Sequence, residues 1–204
     1  MAGLRVLLID GHPDSGRLTA HLLDIYQAAL PEGAEVTRIA LRDLTFDPIL
    51  RRGYAEPQAL ESDLQALQDA IIAADHLVMA WPMWWGAEPA LVKGMIERIF
   101  LPGRLFRYRP KSPLWDRLMA GRSADVIVTG DTPAPVLRWL WGNPMERRLC
   151  RQVLGFCGFH PLRIHYFATV RRGGAERHMR RWTQRLLRAA TSAAGLRRPE
   201  RIVP

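Results

Sequence analysis

The sequence predicts an α/β protein with an open, parallel β-sheet covered by helices on both faces. Three observations lead to this prediction. Five short apolar runs alternate along the chain with stretches whose apolar residues recur at helical spacing, which is typical of βαβ units. The chain has 204 residues, of which 48% are hydrophobic, and this is enough for one domain with a sizeable core. No apolar run reaches the roughly 18 residues of a membrane span.

The five predicted strands are apolar runs that end at turn residues. In chain order they cover residues 4–10, 35–41, 76–81, 124–129 and 162–167. Five strands joined by helices fit the flavodoxin-like sheet of order 2-1-3-4-5, which is a three-layer sandwich. In such a sheet, ligands bind beyond the carboxyl ends of the strands, at the switch between the first and third strands.

The predicted helices are amphipathic stretches between these strands. In chain order they cover residues 16–30, 57–74, 89–100, 144–156 and 175–194. Pro57 and Pro89 stand where two of them begin, a position that tolerates proline because the first turn has no use for its missing N–H. We expect residues 42–56 and 102–121 to be irregular. The whole chain, 1–204, is predicted to form a single domain with its core at about 4–194 and a short basic tail.

The charge is unevenly distributed along the chain. Residues 1–100 hold 8 basic and 14 acidic side chains, and residues 101–204 hold 21 basic and 6 acidic ones, for a net charge of +9. A basic half is typical of nucleic-acid or membrane binding, but also of solvated helix faces. The sequence has no interleaved aromatic and basic residues and no zinc-finger spacing, so we expect no nucleic-acid partner. The apolar run at 6–9 is too short for a signal peptide, which predicts a cytoplasmic protein.

The loop after the first strand has the composition of a phosphate site. It runs from Asp10 to Thr19, and a helix begins inside it. A helix N-terminus exposes unpaired N–H groups and a partial positive charge, so it attracts phosphate. Ser15 and Thr19 add hydroxyl groups, and Arg17 adds charge. The alternative is that Asp14 or Ser15 simply caps the helix.

The turn after the third strand places two tryptophans side by side. Trp84 and Trp85 lie between Pro82, which ends the strand, and Pro89, which begins a helix. Tryptophans at a surface turn expose a large apolar area, so something should cover them. A flat heteroaromatic ligand would do so, with the N–H groups of the turn bonded to its polar edge. The alternative is that both indoles pack under the 102–121 loop or against another subunit.

The chain resembles the flavodoxin-like NAD(P)H:quinone oxidoreductases, the DT-diaphorase-like flavoproteins, over roughly residues 4–170. The residues that carry the resemblance are Pro82-x-x-Trp85-x-x-x-Pro89-Ala90-x-x-Lys93-Gly94, Glu97-Arg98-x-Phe100, Gly11-His12-Pro13-x-Ser15 and Phe156-Cys157-Gly158-Phe159. The resemblance implies a homodimeric flavoenzyme that holds FAD or FMN. It implies NADPH or NADH as the electron donor and quinone, azo or nitro compounds as acceptors, reduced by hydride transfer with ping-pong kinetics.

The resemblance also assigns cofactor-binding residues in three loops. The flavin phosphate and ribityl chain would contact His12, Ser15, Arg17, Leu18 and Thr19. The flavin ring would contact Pro82, Met83, Trp84, Trp85 and Gly86. The loop after the fourth strand would border the flavin through Thr129, Gly130, Asp131 and Thr132. No catalytic side chain is required, because the chemistry belongs to the flavin.

The sequence departs from the family at the substrate side of the site. Characterised quinone reductases carry two glycines after the fourth-strand threonine, whereas this chain has Gly130-Asp131. The tyrosine and histidine that face the substrate in those enzymes have no clear match here, and Tyr108 and His160 are the candidates. The identity of the acceptor is therefore left open.

Two other functions compete with this interpretation. One is a flavin-binding regulatory subunit of a membrane transport system, with the basic helix at 177–188 facing anionic lipid or an acidic partner; we do not favour membrane association. The other is a zinc-dependent deacetylase, since His12-Pro13-Asp14 after a first strand also begins the LmbE-like group. Ser15 and Gly16 replace the next two acidic residues of that motif, so we expect no metal site.

Overall fold

A computed structural model describes residues 3–171 and 173–196, and its centre is a parallel sheet. Its strands, in chain order, are β1 (Arg5–Asp10), β2 (Glu35–Ala40), β3 (His76–Pro82), β4 (Arg107–Tyr108), β5 (Trp115–Asp116), β6 (Ser123–Thr129) and β7 (Leu162–Phe167). Five of them form the parallel sheet, in the order β2-β1-β3-β6-β7. The predicted order 2-1-3-4-5 is therefore confirmed.

Helices cover both faces of this sheet. In chain order they are α1 (Leu18–Ala28), α2 (Ser62–Ala73), α3 (Ala90–Ile99), α4 (Pro144–Arg148), α5 (Leu154–Cys157) and α6 (Gly174–Thr191). α1 and α6 pack together on one face, and α2 to α5 pack on the other. No helix within residues 3–171 and 173–196 is long and apolar enough to cross a membrane.

Alternating side chains of β1 supply both halves of the core. Leu7 and Ile9 point to the face of α2 and α3, while Val6 and Leu8 point to the face of α1 and α6. All four are almost completely buried. A strand buried on both faces is largely apolar, which is why the central parts of β1, β3 and β6 are recognisable as apolar runs.

The second helix begins later than predicted. α2 starts at Ser62 instead of at Pro57. The reason is a buried arginine on α3: Arg98 pairs with Glu61 at 2.9 Å and donates to the carbonyl of Ala59 at 2.8 Å and to that of Asp47. A fixed guanidinium that collects these oxygens holds the preceding segment outside the helix.

Two further predictions about secondary structure were wrong. The 102–121 segment is not wholly irregular, because β4 and β5 form an antiparallel pair and Trp115 stacks on Phe156 with 4.2 Å between ring centroids. The predicted helix at 144–156 is not continuous, because Leu149–Val153 is a π-helical segment, and a second π segment lies at Val136–Leu140. The predicted basic tail includes residues 197–204, which lie outside the described residues.

A buried polar network joins β3, β6 and β7 at the amino ends of these strands. Asp125 is 0% exposed in its side chain and pairs with Arg163 through two contacts of 2.6 Å. Tyr26 on α1 donates to the same carboxylate at 2.7 Å and lies 2.8 Å from His76 Nε2. Burial alone would raise the pKa of Asp125, but the neighbouring His165, His76 and Arg163 outweigh burial and hold the pKa well below its usual range.

We expect Asp125→Asn to lower the free energy of unfolding by about 3–5 kcal/mol, because it leaves the partly buried Arg163 without its counter-charge. Asp24→Asn is the matched control: Asp24 pairs with Arg38 at the surface, where its side chain is 59% exposed, and the expected loss is within about 1 kcal/mol. Urea unfolding of both variants measures this difference. Equal, small losses would contradict the structural role of the buried pair.

Candidate functional site

The three loops singled out in the sequence meet at the carboxyl edge of the sheet. The ring of His12, after β1, stands edge-on to the ring of Trp84, after β3, with 5.8 Å between centroids. The backbone N–H of Met83 donates to the carbonyl of Thr129, at the end of β6, at 2.7 Å. Because the strands are parallel and adjacent, loops that are far apart in sequence become neighbours here.

An open cleft of about 540 Å³ lies between these loops. Its lining residues are Pro82, Met83, Trp84, Trp85, Gly86, Thr129, Gly130, Asp131, Thr132, Trp141, Val170 and Arg171. All nine candidates from the second and third loops are therefore in its wall. Three indoles and few charges make this cleft suitable for a flat, partly apolar ligand.

The tryptophan turn is closed by its own backbone. Trp84 and Ala87 exchange two hydrogen bonds of 2.9 and 3.0 Å. Between them, Trp85 and Gly86 adopt left-handed conformations with φ of 51° and 78°. Such a conformation is uncommon for a tryptophan and is held by the tight turn. The N–H groups of Trp85 and Gly86 have no acceptor within the described part of the chain, so they remain available to a ligand.

The tryptophans are not covered by the 102–121 segment. Trp85 is fully exposed and Trp84 is 45% exposed. The alternative that both indoles pack beneath that segment is therefore wrong. Exposed indoles at the rim of a cleft leave a ligand or a second subunit as their cover.

The first loop presents the N-terminus of α1 without a cap. Arg17 occupies the cap position with no side-chain hydrogen bond to the helix, and the first turn contains no acidic residue. The alternative that Asp14 or Ser15 caps the helix is therefore wrong. Asp14 instead accepts a 2.7 Å hydrogen bond from Arg17 Nε. Leu18 is the first helical residue, and the N–H groups at this helix end can donate hydrogen bonds to a bound anion.

A buried carboxylate holds the first loop in shape. Asp10 is only 1% exposed, and it pairs with Arg42 at 2.6 Å. It also accepts the backbone N–H of His12 at 3.1 Å. The hydroxyl of Thr19 lies 3.5 Å from the same carboxylate and is buried, so its side chain supports the loop from below. No sequence pattern indicated Arg42, which approaches from the segment after β2.

The His12 ring links two of the loops as a neutral group. Its partial burial lowers the pKa of the imidazole, although Asp10 opposes this shift. Nδ1 accepts the N–H of Asp14 at 2.9 Å, which leaves the ring proton on Nε2. A neutral imidazole beside Trp84 contributes shape and a donor rather than charge.

The third loop comes very close to β7. A Cβ at Gly130 would lie 2.8 Å from the hydroxyl oxygen of Tyr166, so only glycine fits without a shift. That hydroxyl donates to the carbonyl of Thr132 at 2.8 Å. Burial raises the pKa of Tyr166 to about 12, so the hydroxyl stays protonated and continues to donate. Asp131 pairs with Arg171 at 2.8 Å and closes the rim.

Sequence reasoning missed several residues of this site. Val170 and Arg171 follow the fifth strand of the sheet, so their position alone could have suggested them. Trp141 follows a π-helical segment, and no sequence signal indicated it. Glu88 is also new: its side chain is buried, pairs with Arg148 of α4 and so ties the tryptophan turn to that helix.

The structure does not bring Tyr108 and His160 to this cleft. Tyr108 is on β4, 63% exposed, and lines a different cleft beside Phe106 and Phe156. His160 precedes β7, and its N–H donates to the carbonyl of Arg122, which precedes β6. Because His160 and Arg122 both stand at the amino ends of their strands, His160 lies at the edge of the sheet opposite to the cleft. Neither residue can face a ligand in the cleft of the same chain.

The acidic side chains around the His12-Pro13-Asp14 segment are paired with arginines. The carboxylates of Asp14 and Asp10 are both engaged by arginines, Arg17 and Arg42. Nowhere in the described residues do three or more His, Cys, Asp or Glu side chains group in a way that could hold a metal ion.

Comparison with known proteins gives consistent matches over most of the chain. A family model described as the flavodoxin-like fold matches residues 4–190. An uncharacterized NAD(P)H oxidoreductase of Escherichia coli K12, YcaK, is 29% identical over 64% of this chain and 71% of its own length. An FMN-dependent NADH:quinone oxidoreductase 2 of Pseudomonas putida KT2440 is 30% identical over 76% of this chain and 83% of its own.

A solved structure supports the same fold. The NAD(P)H:quinone oxidoreductase from Methanothermobacter marburgensis superposes with a TM-score of 0.76 at 20% identity. The match covers 94% of this chain and 97% of that one. At this identity the likeness concerns the arrangement of the sheet and helices.

We expect Arg42→Met to disorder the first loop, because it leaves the buried Asp10 without its cation. The free energy of unfolding should fall by about 3–5 kcal/mol. Arg38→Met is the matched control, since Arg38 pairs with the exposed Asp24 and should cost within about 1 kcal/mol. Urea unfolding compares the two variants. If Arg42→Met were as mild as its control, the Asp10–Arg42 pair would not be what holds the loop.

Proposed function

The chain belongs to the flavodoxin-like family of NAD(P)H:quinone oxidoreductases, and from this premise we propose that it is an FMN-dependent NADH:quinone oxidoreductase. One observation carries the proposal: an uncapped helix N-terminus and a cleft walled by tryptophans lie on the same edge of one sheet. The first suits a phosphate and the second suits a flat ring. The name of the Pseudomonas putida relative supports FMN over FAD and NADH over NADPH.

The residues present fit a flavin. The N–H groups of Trp85 and Gly86 lack acceptors in the described residues and would donate to the polar edge of the ring. Gly130, in the wall of the cleft, lets the third loop pack against Tyr166, where any side chain would collide. Leu18 and Arg17 stand at the exposed end of α1, where the phosphate would be held.

The protein's contribution is to hold, orient and shield. The chemistry that FMN supplies when bound is the transfer of two electrons from NADH to an acceptor. Trp84, Trp85 and Trp141 would stack on flat ligands and exclude water from the cleft. Preorganised N–H donors in the turn would stabilise negative charge at the polar edge of the ring. A single cleft that takes donor and acceptor in turn predicts ping-pong kinetics, with quinones as the main acceptors and azo or nitro compounds as further ones.

A homodimer is part of this proposal. Three large apolar side chains in the wall of the cleft are exposed: Trp84, Trp85 and Trp141. A patch of this kind on a monomer calls for a cover, and a second copy of the chain would supply it while narrowing the cleft. We also propose that the protein is cytoplasmic.

Steady-state turnover tests the proposal. Purified protein with added FMN should oxidise NADH in the presence of 1,4-benzoquinone, and double-reciprocal plots at several quinone concentrations should be parallel. The competing function, a regulatory subunit, predicts FMN binding without turnover on quinone, azo and nitro acceptors. FMN binding without turnover would reject the oxidoreductase activity but would remain consistent with a flavin-binding protein.

We expect Trp141→Ala to lower kcat/KM for a quinone by about tenfold, because stacking on one aromatic side chain is worth about 1–3 kcal/mol. Trp139→Ala is the matched control: Trp139 is also exposed and lies two residues away, but it does not line the cleft. Its kcat/KM should change by less than about twofold. Equal effects of the two substitutions would show that Trp141 does not contact the acceptor.

A further inference from the structure

A second, larger cleft lies along the outer edge of the sheet, and none of its lining residues lines the first cleft. Its volume is about 860 Å³, within the usual range for small-molecule sites. Strand β7 forms its floor, α6 forms one wall, and residues 133–135 form the other. Nothing in the proposed quinone chemistry uses this cleft.

The lining of this cleft is strongly basic. Its charged and titratable members are Arg163, Arg181, Arg185, Arg188, His165, His178 and Tyr166, and no acidic residue is among them. Two carboxylates outside the lining act on these arginines: Asp125 is buried beneath the floor and already paired with Arg163, and the charge of Glu146 on α4 acts on Arg185. The cleft therefore carries positive charge without an internal counter-charge, which favours an anionic ligand.

Two of the arginines are already committed to the fold. Arg163 also donates to the carbonyl of Ala189 and to Ser192 Oγ. Arg185 donates to the carbonyls of Ile164 and Tyr166, at 3.2 and 3.1 Å. These carbonyls point away from the sheet on its edge strand, so Arg185 closes that edge against pairing with another strand. An extended peptide added to β7 is therefore not the occupant that this cleft favours.

The other two arginines are free. The guanidinium groups of Arg181 and Arg188 have no hydrogen-bond or ion-pair partner within the described chain. Both are exposed on α6, on either side of Arg185 in sequence. Residues seven apart on a helix lie on one face, about 10 Å apart along its axis. Partial burial and the adjacent Arg181 lower the pKa of Arg185, as expected where cations crowd together.

A buried histidine at the floor is also incompletely bonded. The side chain of His165 is 9% exposed, and neither ring nitrogen has a hydrogen-bond partner in the described residues. Its Nε2 lies 3.4 Å from Asp125, whereas Nδ1 contacts no polar group. Buried polar atoms usually have a partner, so the polar groups at the floor of this cleft are incompletely satisfied by the protein.

We propose that this cleft binds a soluble nucleoside polyphosphate. Its phosphates would contact Arg181, Arg188 and the side of the Arg185 guanidinium that faces away from β7. Guanidinium groups match phosphate oxygens in geometry and charge. The apolar wall, Pro133 to Pro135 with Ala168, would contact the nucleoside. The cations line a concave cleft rather than a flat face, which favours a soluble ligand over the phosphate headgroups of a membrane.

Isothermal titration calorimetry with ATP tests this site. The full-length protein is first saturated with FMN, so that the cleft between Trp84, Trp85 and Trp141 is filled. ATP should bind, pyrophosphate should bind more weakly, and adenosine should not bind. Arg181→Glu and, independently, Arg188→Glu should weaken ATP binding by about 10- to 100-fold, the range expected for losing a charge-assisted contact. The matched control is Arg180→Glu, which reverses the adjacent exposed charge outside the cleft and should change the affinity by less than about twofold.

Three results would overturn the proposal. Equal losses in Arg181→Glu and Arg180→Glu would indicate general attraction to a basic helix. ATP binding that disappears when FMN is added would indicate the flavin site instead. Binding to phosphatidylglycerol vesicles that requires Arg181, with no binding of ATP, would identify a membrane headgroup as the source of the phosphate. Because ATP binding is measured apart from turnover, failure here leaves the oxidoreductase proposal untouched.

Discussion

The parallel pairing of β3 with β1 on one side and β6 on the other is the interaction on which the site depends. The register aligns Asp10 with Ala80 and Pro82 with Thr129, so the three strands end at nearly the same level. Parallel strands send every following loop to the same edge. Backbone hydrogen bonds between the strands thus bring together the first loop, the tryptophan turn and the third loop. The three loops do not all have to bond to one another directly.

Arginines then fix each loop from a different part of the chain. Arg42 holds Asp10, Arg148 holds Glu88, and Arg171 holds Asp131. Asp10 and Glu88 are almost completely buried, so each needs its cation, whereas the exposed Arg171 pair contributes little. Much of the basic second half of the chain therefore has local uses: Arg163 and Arg185 complete the edge strand, and only part of its charge remains for a ligand.

The sheet order, the strands and the tryptophan turn could be predicted because each rests on local pattern. A buried parallel strand is largely apolar, and Pro82 and Pro89 mark the turn. The features that the sequence did not predict depend on contacts between distant segments. Arg98 delays α2, a π-helical segment directs Trp141 to the cleft, and Arg42 reaches Asp10 from another loop. Tyr108 and His160 lie outside the cleft of the same chain, since Tyr108 is on the separate β4-β5 pair and His160 precedes β7, and their residue types alone could not indicate these positions.

If the three strand-end loops form one flavin site, the visible absorption spectrum of the purified protein will reveal it. We expect a yellow protein, or a colourless one that turns yellow on addition of FMN, and heat release should yield FMN on chromatography. A colourless protein that takes up neither FMN nor FAD would contradict this expectation. The exposed tryptophans would then have to be explained by contact with a partner rather than with a cofactor.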